Sequence, residues 1–220
     1  MHRIVIHELR LFLREPRFWV PFLLPPIFLV GMNVVLYAHL DGSHGNLDPG
    51  LALLTGVLLS TISVALTSDS FAGERERNTL ELLLTLPIGV KKIFWGKLLA
   101  LLPLPLGFSC GSQLLLWFYS EEFPDSFLVL ALVYVVSVTL LVTGFSLLVS
   151  LYSKTVRSAA QTNVFFVLVC LGLTQAFGGD YLIGGWKNGL MLPISGAVFS
   201  ILVWLSLKNF EGHLAQRKPK

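Results

Sequence analysis

The densest run of ionisable side chains in this 220-residue chain is Glu74-Arg75-Glu76-Arg77, followed directly by Asn78-Thr79-Leu80-Glu81-Leu82-Leu83-Leu84. Alternating carboxylates and guanidiniums beside a leucine-rich stretch have the chemistry of docking rather than of bond breaking. The charges can form ion pairs and the leucines can cover an apolar surface. Gly73 is expected to break this segment away from the apolar stretch before it. Asn78 is expected to cap a new helix with Glu81 at its N3 position, a variant of the capping box. Leu80, Leu83 and Leu84 then share one face, and Pro87-Ile88-Gly89 ends the helix. The pattern describes a short amphipathic helix offered to a partner. Glu74, Arg75, Glu76, Arg77 and Glu81 would make the charged contact, and Leu80, Leu83 and Leu84 the apolar one.

Other chemistries lack their residues. The stretch 89–97 has six residues between its glycines where a phosphate-binding loop has four, and Leu98 follows Lys97 where that loop needs Ser or Thr. If ATP drives this protein, another chain binds it. His2, His7, His39, His44 and His213 make no metal-ligand spacing, and no metal is expected. No apolar stretch carries a histidine near its middle to act as a base, so no serine nucleophile is set up. Cys110 and Cys170 lie inside apolar runs and read as small buried hydrophobes. Coupling to an ion gradient needs titratable groups at depth in the membrane. The apolar segments hold almost none, and Asp69, at the end of one, reads as an ion-pair partner. Polar uncharged candidates remain: Gln161, Asn163 and Gln175 cluster on one segment, either lining a pathway or hydrogen bonding between helices.

These residues need a membrane to be positioned. The chain is 54% hydrophobic and only 13% charged, with mean hydropathy +0.74. Soluble domains carry about 25% charged residues, so there is too little polar surface to coat a soluble fold. The expected class is an all-α integral membrane protein. A spanning helix needs about 20 apolar residues, and six stretches qualify: 18–40, 51–67, 98–119, 127–152, 159–177 and 190–207. The second is rich in Ser and Thr, whose hydroxyls are expected to bond back to their own helix. The prolines within the stretches, Pro103 and Pro105 among them, are expected to kink their helices.

Orientation follows from lysine and arginine. Of the 16 basic side chains, only Lys187 falls opposite the rest, on the side that holds Asp41, Asp48, Glu121, Glu122, Asp125 and Asp180. The positive-inside rule then places both termini in the cytoplasm, which an even number of spans requires. The net charge of +3 is accounted for by this distribution and implies no nucleic acid. Residues 1–16 read as an interfacial amphipathic helix. Val5, Ile6, Leu9, Phe12 and Leu13 fall on one arc of roughly 120°, flanked by a stripe of Arg3, His7, Arg10, Arg14 and Arg17. Such a helix lies in the headgroup layer with its arginines on lipid phosphates. The 17-residue polar lead and the long first apolar stretch are expected to stay with the protein rather than be cleaved as a signal peptide. The expected organisation is 1–16 interfacial helix, 17–209 six-helix transmembrane domain with a cytoplasmic loop at 71–92, and 210–220 cytoplasmic tail.

The string Gly-Glu-Arg-Glu-Arg-Asn-Thr-Leu-Glu-Leu-Leu-Leu-Thr-Leu-Pro at 73–87, followed by Ile88-Gly-Val-Lys-Lys-Ile-Phe-Trp-Gly-Lys97, resembles the first cytoplasmic loop of type-2 ABC exporter permeases. The N-terminal amphipathic helix ending in Pro16 resembles the interface helix of that family. The likeness is sharp over about 25 residues, and extends in architecture to the whole chain. It implies an exporter permease in the cell membrane, working as a homodimer or heterodimer with separate ABC ATPase subunits. ATP and Mg would be bound by those partners, and 74–87 would be the coupling helix. The connection at 178–189 is short and glycine-rich, with little room for the re-entrant helices that family members often carry there. Two other readings stay open: a heme-exporter membrane subunit of cytochrome c maturation, and a non-transporting membrane scaffold that anchors a cytoplasmic complex.

The topology is directly testable. Cysteines introduced at Asp41, Glu122 or Asp180 are expected to react with an impermeant thiol reagent applied outside intact cells. Cysteines at Arg77 or Lys154 are expected to react only after the membrane is opened. Outside labelling at Arg77 overturns the orientation.

Overall fold

The computed structural model describes residues 49–80, 89–119 and 125–183, together with the single positions Phe28, Gly31, Ile201, Val203, Ser206 and Lys208. The described elements are helices: α1 Pro49–Ser60, α2 Ile62–Glu76, α3 Val90–Leu101, α4 Pro103–Tyr119, α5 Asp125–Tyr152 and α6 Val156–Ile183. They make four segments long and apolar enough to cross a membrane: Ala52–Glu76, Val90–Phe118, Ser126–Tyr152 and Val156–Ala176. These are the second to fifth of the expected spans. The first and sixth spans, apart from the single positions, lie outside the described residues, as do the interfacial helix and the tail.

Two of the spans are broken helices, and the breaks have local causes. In the second span, Thr61 separates α1 from α2. The Thr61 amide bonds to Leu58 O at 3.1 Å and the Val64 amide to Thr61 O at 2.9 Å, both one residue shorter than the α-helical reach. Around this point the hydroxyls of Ser60, Thr61 and Ser63 donate to carbonyls three residues back, at 2.6–2.8 Å. Those of Thr67 and Ser68 do the same four back. This is the back-bonding expected of the Ser/Thr-rich stretch, and such bonds bend helices. In the third span, Pro103 and Pro105 offer no N–H to Leu99 O and Leu101 O. The helix bends there but continues, with Leu102 N bonded to Leu98 O at 3.0 Å and Leu106 N to Leu102 O at 3.2 Å.

The second span runs further than its apolar stretch. The expectation that Gly73 breaks it is wrong: α2 continues through Gly73 to Glu76. A Cβ on residue 73 would sit 2.1 Å from Asp69 Oδ1, so glycine makes room here for the Asp69 carboxylate against the helix rather than ending it. At 25 residues the span is about 37 Å long, against about 30 Å of hydrocarbon. That excess leaves room for its charged last turns beyond the acyl layer.

Among the described residues this span is the centre of the bundle. Two thirds of its apolar window is buried inside the chain, against 17% for the fifth span. α2 lies along α5, which runs in the same direction, and α1 packs on α4 and α6. One cluster at the basic end joins Leu59, Ile62, Leu66, Phe71, Ile93, Phe94, Leu98, Leu147 and Leu151, with Val203 packed among them. A second, toward the other end, joins Leu53, Val57, Leu116, Phe127 and Val135. Helix association in lipid depends on close packing and interhelical hydrogen bonds rather than on hydrophobic transfer. Gly56 supplies a close approach to α4 and α5. Gln113 of α4 donates to Ala52 O at 2.9 Å across the same contact.

A Cβ at residue 56 would lie 2.6 Å from Gln113 Nε2 and 2.7 Å from Val135 Cγ2, whereas one at residue 111 would meet nothing within 4 Å. Gly56→Ala is therefore expected to destabilise the bundle by about 1–3 kcal/mol. Gly111→Ala is expected to be neutral or to stabilise slightly. Thermal unfolding midpoints in detergent compare the two, and equal midpoints overturn the close-approach account.

Candidate functional site

The charge run at the end of α2 sits where four spans converge, and each of its members turns a different way. Glu74 points into the bundle. Its Oε1 meets Lys97 Nζ of α3 at 2.7 Å, with the lysine side chain 3% exposed and the glutamate 20%. Lys97 also donates to Ser70 O at 3.1 Å, and its ammonium lies 5.0 Å from the centroid of the Phe71 ring, which stacks on Phe94. The cation is thus held by a carboxylate, a carbonyl and an aromatic face, the set a desolvated ammonium requires.

Arg75 reaches along the end of α5. Its guanidinium donates to Leu151 O at 2.8 Å and to Ser153 O, carbonyls that close the fourth span. A cation there also meets the negative end of that helix's dipole. Glu76 goes the opposite way in charge and in space. Its Oε1 accepts from the Val156 amide at 2.8 Å, the first residue of α6, while Thr155 Oγ1 accepts from the Ser158 amide at 3.1 Å. Two of the orphan donors at the start of the fifth span are satisfied in this way. Arg77 folds back about two turns, past Gly73, to Asp69 at 3.2 Å, with both partners well exposed. Asp69 is an ion-pair partner, as its position in the sequence implied.

Beyond Arg77 the chain stops with a Schellman motif rather than starting with a cap. Thr79 N bonds to Glu74 O at 2.8 Å and Asn78 N to Arg75 O at 3.1 Å, and Asn78 has φ 57°. The reading of Asn78 as the N-cap of a new helix is corrected accordingly. Its short polar side chain tolerates the left-handed conformation that ends α2. Leu80 turns back into the core cluster with 6% exposure. Between these anchors, Glu76, Arg77, Asn78 and Thr79 form an exposed corner. Glu81, Leu83 and Leu84 lie outside the described residues, as do Arg3, His7, Arg10, Arg14 and Arg17.

The three amides of the fifth span do not share a face. Gln161 and Gln175 are exposed, on a surface that includes Val164, Phe165, Leu168 and Leu173. Asn163 points the other way and is fully buried, donating from Nδ2 to Ser68 Oγ at 3.1 Å.

Sequence reasoning missed two participants. Lys97 entered it only as a topological marker and part of a motif. The available signal was a lysine followed by a long apolar run, which needs a counter-ion. Ser150 had no signal at all. Its hydroxyl accepts from the Phe71 and Ala72 amides at 3.1 and 3.0 Å and donates to Ser68 O at 3.0 Å, lodging α5 against the backbone of α2.

A family model for the ABC-2 type transporter matches residues 2–179, well over half of the chain and all of the site just described. The chain belongs to the ABC-2 type transporter family. A search of curated proteins gives no match. Family membership makes this a multi-pass membrane subunit of an ABC-type transporter, a class that assembles with an ATPase partner.

The Glu74–Lys97 pair sets the stability of this end. Lys97→Met alone leaves a carboxylate buried without its cation, a change that costs about 3–5 kcal/mol where a buried pair is broken. Lys97→Met combined with Glu74→Leu is expected to recover most of that loss. Arg77→Ala, which removes an exposed pair, is expected to cost no more than about 1 kcal/mol. Unfolding midpoints of the three variants are the measurement, and an additive double variant overturns the pairing.

Proposed function

We propose that this chain is the membrane-spanning subunit of an ATP-driven exporter, working as a dimer with ATP and Mg held on separate ATPase subunits. Both termini and the 71–92 loop face the cytoplasm in this reading. The observation that carries it is the anchoring of one exposed corner to several spans at once. Residues 76–79 are exposed, while Glu74, Arg75 and Glu76 tie the same turn to the third, fourth and fifth spans. A displacement applied at the corner by an ATPase is passed directly to those spans. Glu74 and Arg75 therefore transmit, and the corner together with 81–87 makes the contact, with Glu81, Leu83 and Leu84 in the apolar and charged roles proposed for a coupling helix.

The exposed face of the fifth span completes the proposal. Phe165, at 71% exposure, Leu168 and Leu173 with Gln161 and Gln175 present an apolar surface dotted with amides. Facing a second permease copy, it would line a pathway suited to an amphiphile. Asn163, buried on the opposite side, holds the helix in place rather than touching substrate.

Arg77→Glu tests the coupling, because Arg77 is exposed and its loss leaves the inner contacts intact. Like charges facing a partner cost up to several kcal/mol of association. Normal insertion is expected, with the ATPase lost on purification and no substrate-stimulated hydrolysis. Glu122→Lys, on the opposite side, is expected to leave the ATPase attached. If the ATPase binds and turns over normally with Arg77→Glu, the corner is not the contact.

A further inference from the structure

We propose that Ser68, Ser146 and Asn163 enclose a binding site for a single water molecule between the second, fourth and fifth spans, bridging Asn163 Oδ1 to Ser146 Oγ. One turn toward the acidic end, Val64, Val142 and Val167 pack together at the meeting of α2, α5 and α6. Moving four residues along each helix toward the basic end gives Ser68 on α2 and Ser146 on α5, and Asn163 on the oppositely directed α6. Residues four apart lie on one helix face, so these three form the next layer of the same seam. The Asn163–Ser68 hydrogen bond shows that two of them meet, and the packing of Val142 with Val64 and Val167 one turn away brings the α5 face of Ser146 to the same seam. All three are essentially fully buried.

The hydrogen-bond inventory of this layer does not close. Ser68 Oγ donates its one proton to Val64 O at 2.6 Å. It can only accept from the asparagine, which settles that Asn163 presents Nδ2 to it and turns Oδ1 elsewhere. Asn163 Oδ1 and Ser146 Oγ are then buried with no partner among the described residues, and no direct bond joins the two. Buried polar atoms are almost always paired, with protein or with ordered water. Two such atoms in one layer, one a pure acceptor and the other able to give or take a proton, match the valence of a water that donates to Asn163 Oδ1 and exchanges its second bond with Ser146. Neighbouring Thr67 and Thr143 are satisfied by their own helices and do not compete.

The test uses the full chain in lipid nanodiscs with ¹⁵N-labelled asparagine, and reads magnetisation transfer from water protons to the Asn163 side-chain amide. Loss of that signal in Asn163→Leu assigns it. Transfer is expected in the unaltered chain, retained in Ser146→Thr and lost in the isosteric Ser146→Val, which fills the same space without a hydroxyl. No transfer in the unaltered chain, or equal transfer in the Thr and Val variants, overturns the site. A second measurement holds even where single variants are unstable. Asn163→Leu and Ser146→Val are expected to lower the unfolding midpoint less together than the sum of their separate shifts, because one water serves both. Additive shifts overturn the bridge.

Discussion

The arrangement of the described bundle depends on one constraint: a lysine that enters the membrane domain must not be left alone. Lys97 begins a long apolar run, and removing its charge from water is tolerable only beside an opposite charge and further acceptors. Glu74 supplies the charge, Ser70 O a second acceptor and the Phe71 ring a polarisable face. Because two of these come from the side chains and one from the backbone of a single helical turn, the end of the second span is locked in rotation against the third. Once that rotation is set, Arg75 and Glu76 are aimed at the fourth and fifth spans. Successive residues on a helix point about 100° apart, so a run of alternating charges is distributed among surrounding helices rather than displayed on one side.

Polar groups do similar work deeper in the bundle. In hydrocarbon there is no water to solvate a stray hydroxyl, so serines and threonines bond back to their own helices or reach a neighbour's backbone. Ser150 reaches its neighbour's backbone, taking two amides of α2 and returning a proton to one of its carbonyls. Gln113 and Asn163 bind across helices in the same manner. The second span thus combines a Ser/Thr-bent upper half with a lower half tied by ions and hydroxyls.

Sequence and structure diverge where the sequence offered two local solutions of similar appearance. Gly73 and Asn78 both resemble helix boundaries. Asn78 is one, but as the left-handed terminator of the helix before it, while Gly73 is inside the helix, cleared for Asp69. Glycine near charged residues marks either a chain break or a close approach, and only the position of the Asp69 side chain separates them. The amides of the fifth span show the same limit. Gln161 and Asn163 are two residues apart, nearly opposite on a helix, and proximity in sequence grouped what rotation divides.

What the sequence by itself determined are the properties that add along the chain. Hydropathy summed over a window marks the second to fifth spans, and the family that the Glu-Arg-Glu-Arg string and its Gly-Lys sequel resemble is the one whose model matches 2–179. What only the tertiary structure decided is which group meets which: Glu74 with Lys97, Arg75 with the end of the fourth span, Glu76 with the start of the fifth, and Ser150 with a backbone 79 residues away. These pairings depend on the rotation and axial shift of each helix against the others. Rotation and shift come from the packing of whole faces such as the one around Gly56, and that information is held by no single segment.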